Sequence, residues 1–207
     1  MSIEVWVSFI AAAMVLCFSP GPTVFLVMGQ ALAHGKKSVT PLVAGTLSGD
    51  LVAMTCSFFG MGAILATSAT LFNLFKWAGA LYLFYLGIKA FRTKVSTSNI
   101  EHTAMEKGAV YRHAFLVTAL NPKGVIFFLA FFPLFIDVSL PALPQMLIMG
   151  VSFLFVSTLS VTSYALFSGV LRNKVSSVRF QNGFNKVSGG LLVGAGAITA
   201  TLQSKGA

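Results

Sequence analysis

The chain has 207 residues, of which 56% are hydrophobic and 9% charged, and its net charge of +9 comes from fourteen Lys and Arg against five acids. A soluble domain carries roughly 25% charged residues, so this composition excludes an ordinary soluble fold, and its hydrophobicity excludes a disordered chain. Cys17 and Cys56 are the only cysteines and both lie in apolar runs, which excludes a disulfide-stapled secreted module.

About 20 apolar residues cross the roughly 30 Å hydrocarbon core of a bilayer. Six predominantly apolar runs of that scale occur, at 5–28, 41–66, 71–91, 114–136, 146–170 and 187–202. The sixth is short and begins beside Lys186, which snorkels to the surface. The first resembles a secretory signal in its apolar stretch, but it has Glu4 where a signal has basic residues, so it reads as a retained span. The basic residues fall mostly between the runs. The first, third and fifth connections hold Lys36 and Lys37; Arg92, Lys94, Lys107 and Arg112; and Arg172, Lys174, Arg179 and Lys186. The opposite side has only Lys76 and Lys205. The positive-inside rule makes the odd connections cytoplasmic and puts both termini outside. The charge therefore meets lipid head groups, and no groove-reading motif points to nucleic acid.

In the first run Ser19, Pro20, Gly21 and Pro22 interrupt the helix, because each Pro removes a donor and clashes with the carbonyl four residues back. Such a break is either a plain structural kink or a site, since non-helical backbone at membrane depth is tolerated where it is buried or lines a watery cavity. The second run holds Asp50 behind Gly45 and Gly49, with Ala53 and Ser57 continuing a stripe of small residues suited to close helix packing. The fourth run carries a second break at Asn121, Pro122 and Lys123. Ser157, Thr158, Ser160, Thr162 and Ser163 crowd the fifth, where their hydroxyls either line a polar path or bond back to helix carbonyls. Gly190 and Gly194 read as packing residues in the last.

The two breaks align at one offset: Ser19, Pro20, Thr23, Val24 and Phe25 match Asn121, Pro122, Val125, Ile126 and Phe127. Three-span halves insert with opposite orientation, so the expected architecture is an all-α, six-helix membrane protein built as a 3+3 inverted repeat. Residues 1–207 form one transmembrane domain, with halves at 1–91 and 114–203 joined by a cytoplasmic connection at 92–113.

Asp50 is the only acid inside a predicted span and Lys123 the clearest base. Charges at that depth are costly and face the bundle interior, either as a structural ion pair or as a site for a small zwitterion. In the second case Asp50 attracts an α-amino group or takes up a proton, and Lys123 with the amides near Gly21 attracts a carboxylate. Cys17, Asp50, Met54 and Cys56 suggest a soft-metal pocket only weakly, with no ligand repeat behind them. His34, His102 and His113 fall in or beside the cytoplasmic connections, and no nucleophile elbow, phosphate loop or metalloprotease motif occurs, so an enzyme is not expected.

Taken together, these blocks resemble the LysE/RhtB family of amino-acid exporters. The likeness rests on Ser19 to Pro22, on Gly35, Lys36 and Lys37 leading to Gly45, Gly49 and Asp50, on Gly79 through Ala90, and on Leu120 to Lys123 continuing into Phe127, Phe128 and Pro133. The resemblance implies a multi-pass protein of the bacterial inner membrane that exports amino acids or their derivatives on an ion gradient, without a bound cofactor. It places the functional residues at Ser19, Pro20, Gly21, Pro22, Gly49, Asp50, Asn121, Pro122 and Lys123. A lone intramembrane acid favours neutral cargo such as homoserine, threonine or leucine-like compounds. Proton antiport through Asp50 is the expected coupling, and the small-residue stripes are compatible with a homodimer. A metal-ion exporter, a passive channel and a non-transporting membrane subunit are the alternatives.

Overall fold

A computed structural model describes residues 1–19, 21–67, 106–137 and 139–168, together with isolated positions between 70 and 88 and between 177 and 190. All regular structure among the described residues is helical. The third and sixth apolar runs lie outside the described residues apart from those isolated positions.

Helix α1 (Ile3–Phe18) starts at Ser2, whose hydroxyl accepts the Val5 N–H at 3.4 Å. It stops at Ser19, and α2 (Pro22–His34) begins afresh with Pro22 in its first turn, where the missing N–H costs nothing. Gly35 then takes φ +60°, a conformation that favours glycine, and a 3-10 turn (Gly35–Ser38) leads into α3 (Val39–Thr67). Helix α4 (Lys107–Ala119) begins ahead of the apolar run at 114 and ends at Leu120. Asn121 caps the short α5 (Pro122–Ile126) by accepting the Lys123 N–H at 3.1 Å, again with Pro in the first turn. The chain continues through a π-helical turn (Phe127–Phe131) and a 3-10 turn (Phe132–Phe135). Helix α6 spans Ala142–Leu166.

The segments Pro22–Gly60 and Ala142–Leu166 are long and apolar enough to cross a membrane. Lys107–Ala119 and Pro122–Phe135, bent by 43° where they meet, make a third span if counted as one broken helix. At 1.5 Å per residue the 25 residues of α6 extend about 37 Å, more than the hydrocarbon core requires.

Helices α3 and α4 approach closely because α3 has no side chain at Gly45 and Gly49. A Cβ on Gly45 would stand 2.5 Å from the Tyr111 carbonyl oxygen, and one on Gly49 would stand 2.8 Å from that of Phe115. The stripe read from the sequence is therefore a packing surface.

Two apolar clusters result. One gathers Phe9, Phe127, Phe128, Phe131, Phe132, Met149 and Phe153 around the π-helical turn, with Phe128 and Phe153 edge to face at 4.8 Å. The other joins Val24, Val27 and Met28 of α2 to Leu42, Val110, Ala114, Val161 and Tyr164. Buried Gln145 ties down the turn between them and α6: its Oε1 accepts the Asp137 N–H at 3.0 Å and its Nε2 donates to the Asp137 and Pro141 carbonyls.

Candidate functional site: two helix breaks around a polar cavity

A helix ends with four carbonyls that have no partner inside it, and burying them unpaired is costly. At the end of α1 these groups are met by side chains from other elements. Lys123 Nζ donates to Leu16 O at 2.8 Å and to Ser19 O at 3.2 Å. Ser160 Oγ donates to Cys17 O at 2.7 Å, and the Tyr164 hydroxyl donates to Phe18 O at 2.6 Å. Four consecutive carbonyls are thus held by one residue of α5 and two of α6. The Lys123 cation also sits at the negative end of the α1 dipole. An ammonium has three N–H donors, so these contacts leave one of them over.

Beyond this clasp the two breaks face each other. Asn121 Nδ2 reaches Thr23 Oγ1 at 3.5 Å, and Thr23 Oγ1 lies 3.5 Å from Thr118 Oγ1, both at the loose edge of hydrogen-bond range. By helix position Pro22 corresponds to Pro122, since each opens the second piece of a broken helix, whereas the sequence alignment pairs Pro20 with Pro122.

Between the breaks lies a cavity of about 70 Å³. One ordered water needs at least about 10–15 Å³, so the cavity has room for several. Its polar lining includes Ser19, Thr23, Thr46, Asp50, Asn121 and Lys123, and its apolar lining Val24, Val27, Phe153 and Val161. Asp50 is 7% exposed, and its Oδ2 accepts the Ser157 hydroxyl at 2.5 Å across from α6. Among the described residues no ion pair joins Asp50 to Lys123; the carboxylate is met by a hydroxyl and the ammonium by carbonyls.

Of the nine residues singled out from the sequence, Ser19, Gly21, Asp50, Asn121 and Lys123 line the cavity. Pro22 and Pro122 instead open α2 and α5, and Gly49 lies against α4. Pro20 lies outside the described residues. The sequence reading missed Thr23, Thr46, Thr118 and Tyr164, and it left Ser157 and Ser160 undecided. Ser157, Ser160 and Tyr164 recur at i, i+3 and i+7, one face of a helix, and that spacing was the available signal. Thr158, by contrast, does bond back to a carbonyl of its own helix, Leu154 O at 2.7 Å. Among the described residues no three His, Cys, Asp or Glu side chains converge as a metal site, and Cys56 is exposed.

Residues 14–202 match the family model of the LysE type translocator. The chain belongs to that family. This translocator is 29% identical over 205 residues to a homoserine/homoserine lactone efflux protein of Salmonella typhi, covering 98% of this chain and 99% of the relative. It is 28% identical over 212 residues to a leucine efflux protein of Salmonella choleraesuis, covering 95% of each. An uncharacterized membrane protein of Vibrio cholerae is 29% identical over 205 residues, covering 99% of this chain and all of the relative. No solved structure matches the translocator. It is an integral membrane transporter of a family that includes amino-acid efflux proteins, and not an enzyme.

Proposed function

We propose that the translocator exports a neutral amino acid or a close derivative from the cytoplasm across the inner membrane of a bacterium, and that the cargo binds in the cavity between the two helix breaks. One observation carries this reading: a buried carboxylate and the open end of a broken helix line the same small cavity. Asp50 receives the α-amino group. The carboxylate goes to the N-terminus of α2, where Gly21 makes no side-chain cap and the Thr23 and Val24 N–H groups precede the first helical bond, from Phe25 N to Gly21 O, and to the remaining donor of Lys123. The apolar wall of Val24, Val27 and Val161 takes a neutral side chain. Relatives named for homoserine and leucine efflux support this class of cargo.

The remaining architecture is proposed in the same way. Six spans form a 3+3 inverted repeat with both termini outside, and the two broken helices rock around the cavity in alternating access. Outward movement of cargo exchanges for inward movement of protons, with Asp50 as the carrier. The Gly45 and Gly49 stripe is occupied by α4 in this chain, so a homodimer would use another surface.

The test is efflux from cells preloaded with mixed amino acids, comparing wild type with Asp50→Asn at matched membrane abundance. The reading predicts that a neutral amino acid leaves rapidly in wild type and is retained in the variant. Equal loss of every amino acid from both strains contradicts it. An imposed pH gradient that leaves the wild-type rate unchanged contradicts the coupling alone.

A further inference from the structure

Thr46 stands apart from Ser48 and Ser57 of its helix in that it is buried without a bond back to a helix carbonyl. Ser48 and Ser57 of α3 bond back to carbonyls four residues earlier, Ala44 O at 2.8 Å and Ala53 O at 2.7 Å. That bond is the ordinary way for a buried helical hydroxyl to be satisfied. Thr46 is 2% exposed, and among the described residues its Oγ1 has no hydrogen-bond partner. A buried hydroxyl left unpaired is destabilising, so a partner absent from the protein itself is the physical explanation for keeping it. Thr46 lines the cavity, one helical turn before Asp50. Residues at i and i+4 have Cβ atoms about 5–6 Å apart on one face. A cargo whose α-amino group sits at Asp50 can therefore place the end of a short side chain at Thr46, beside Val24, Val27 and Val161.

We propose that Thr46 determines specificity: its hydroxyl bonds a hydroxyl at the end of the cargo's short side chain, so that a hydroxylated neutral amino acid is preferred to an aliphatic one of the same length. No ionisable group is needed, since a Thr hydroxyl both donates and accepts. This inference rests on the reading of the cavity as an amino-acid site, and the following experiment separates the two.

The purified translocator in proteoliposomes is assayed for counterflow of labelled L-homoserine and labelled L-leucine. Each is competed by unlabelled L-homoserine and by L-2-aminobutyrate, which differ by a single hydroxyl. One neutral hydrogen bond predicts that wild type binds homoserine up to about tenfold more tightly than 2-aminobutyrate. Thr46→Val, which keeps the shape, brings the ratio close to one. Thr46→Ser, which retains the hydroxyl, keeps the preference. Equal constants in wild type overturn the assignment without any variant, as does an undiminished preference in Thr46→Val. Leucine counterflow without homoserine counterflow overturns the subsite and leaves the amino-acid site standing. Absence of counterflow for both overturns the amino-acid site, and the subsite with it.

Discussion

Replacing Gly49 by Ala should separate α3 from α4. The added Cβ would stand 2.8 Å from Phe115 O, 2.9 Å from Ala119 N and 2.9 Å from Thr118 Cβ. Carbon atoms prefer about 3.5–4.0 Å, so α4 must retreat by roughly half an ångström or more, and two of the three clashes are with backbone that has no rotamer to change. Overpacking of this kind costs about 1–3 kcal/mol. The better helix propensity of Ala returns about 1 kcal/mol, which leaves a net loss of about 1 kcal/mol. For a chain of this size that lowers the melting temperature by about 2–4 °C. The assay is thermal unfolding of the purified protein in one detergent, with Gly60→Ala as the partner variant on the same helix. Among the described residues nothing stands within 4 Å of a Cβ at Gly60, so that change should raise the melting temperature slightly. A Gly49→Ala protein as stable as Gly60→Ala would refute the close packing of α3 on α4. Because the clash falls on Thr118 and Ala119, just before the second break, Gly49→Ala should also slow transport.

Three further predictions follow from the site and its supports. Tyr164→Phe leaves Phe18 O without its 2.6 Å partner and should destabilise the protein by about 1–2 kcal/mol, read as a lower melting temperature with Asp50 still able to support reduced counterflow. Gln145→Leu removes an acceptor for the Asp137 N–H and a donor to the Asp137, Leu140 and Pro141 carbonyls, and accelerated proteolysis at the turn before α6 should report the loss. Asp137 itself lies in that turn, where the Ser139 hydroxyl and N–H hold its carboxyl below the ordinary carboxylate range. A depressed folded value means that the contribution to stability is present above the unfolded value and is lost as pH falls through the folded one. The protection of the Ser139 amide, its exchange rate relative to the intrinsic rate at the same pH, should therefore fall in acid for wild type, and protection indifferent to acid would contradict the turn geometry.

The sequence was informative wherever the chemistry is local. Two prolines and a glycine cannot continue a helix, and the break between α1 and α2 falls among them. A carboxylate cannot face lipid cheaply, and Asp50 is buried on the cavity. Small residues at a spacing of four let helices touch, and Gly45 and Gly49 meet α4. What the sequence hid depends on backbone and on distance along the chain. The partners of Lys123, Ser160 and Tyr164 are carbonyls more than a hundred residues away, and a carbonyl carries no sequence signal. The same limit left it open from the sequence whether Asp50 and Lys123 pair, and in the structure each has its own partner. Thr46 was hidden for another reason: its distinction is a hydrogen bond it does not make. The third and sixth runs were legible as apolar lengths, but they fall outside the described residues.

The measurement closest to the central claim is counterflow of a labelled neutral amino acid into proteoliposomes preloaded with the same compound, for wild type and Asp50→Asn at equal protein content. Saturable accumulation in wild type and its loss in the variant are the predicted results, and they would separate a carrier from a passive channel. Equal accumulation in both would contradict an amino-acid site built on Asp50.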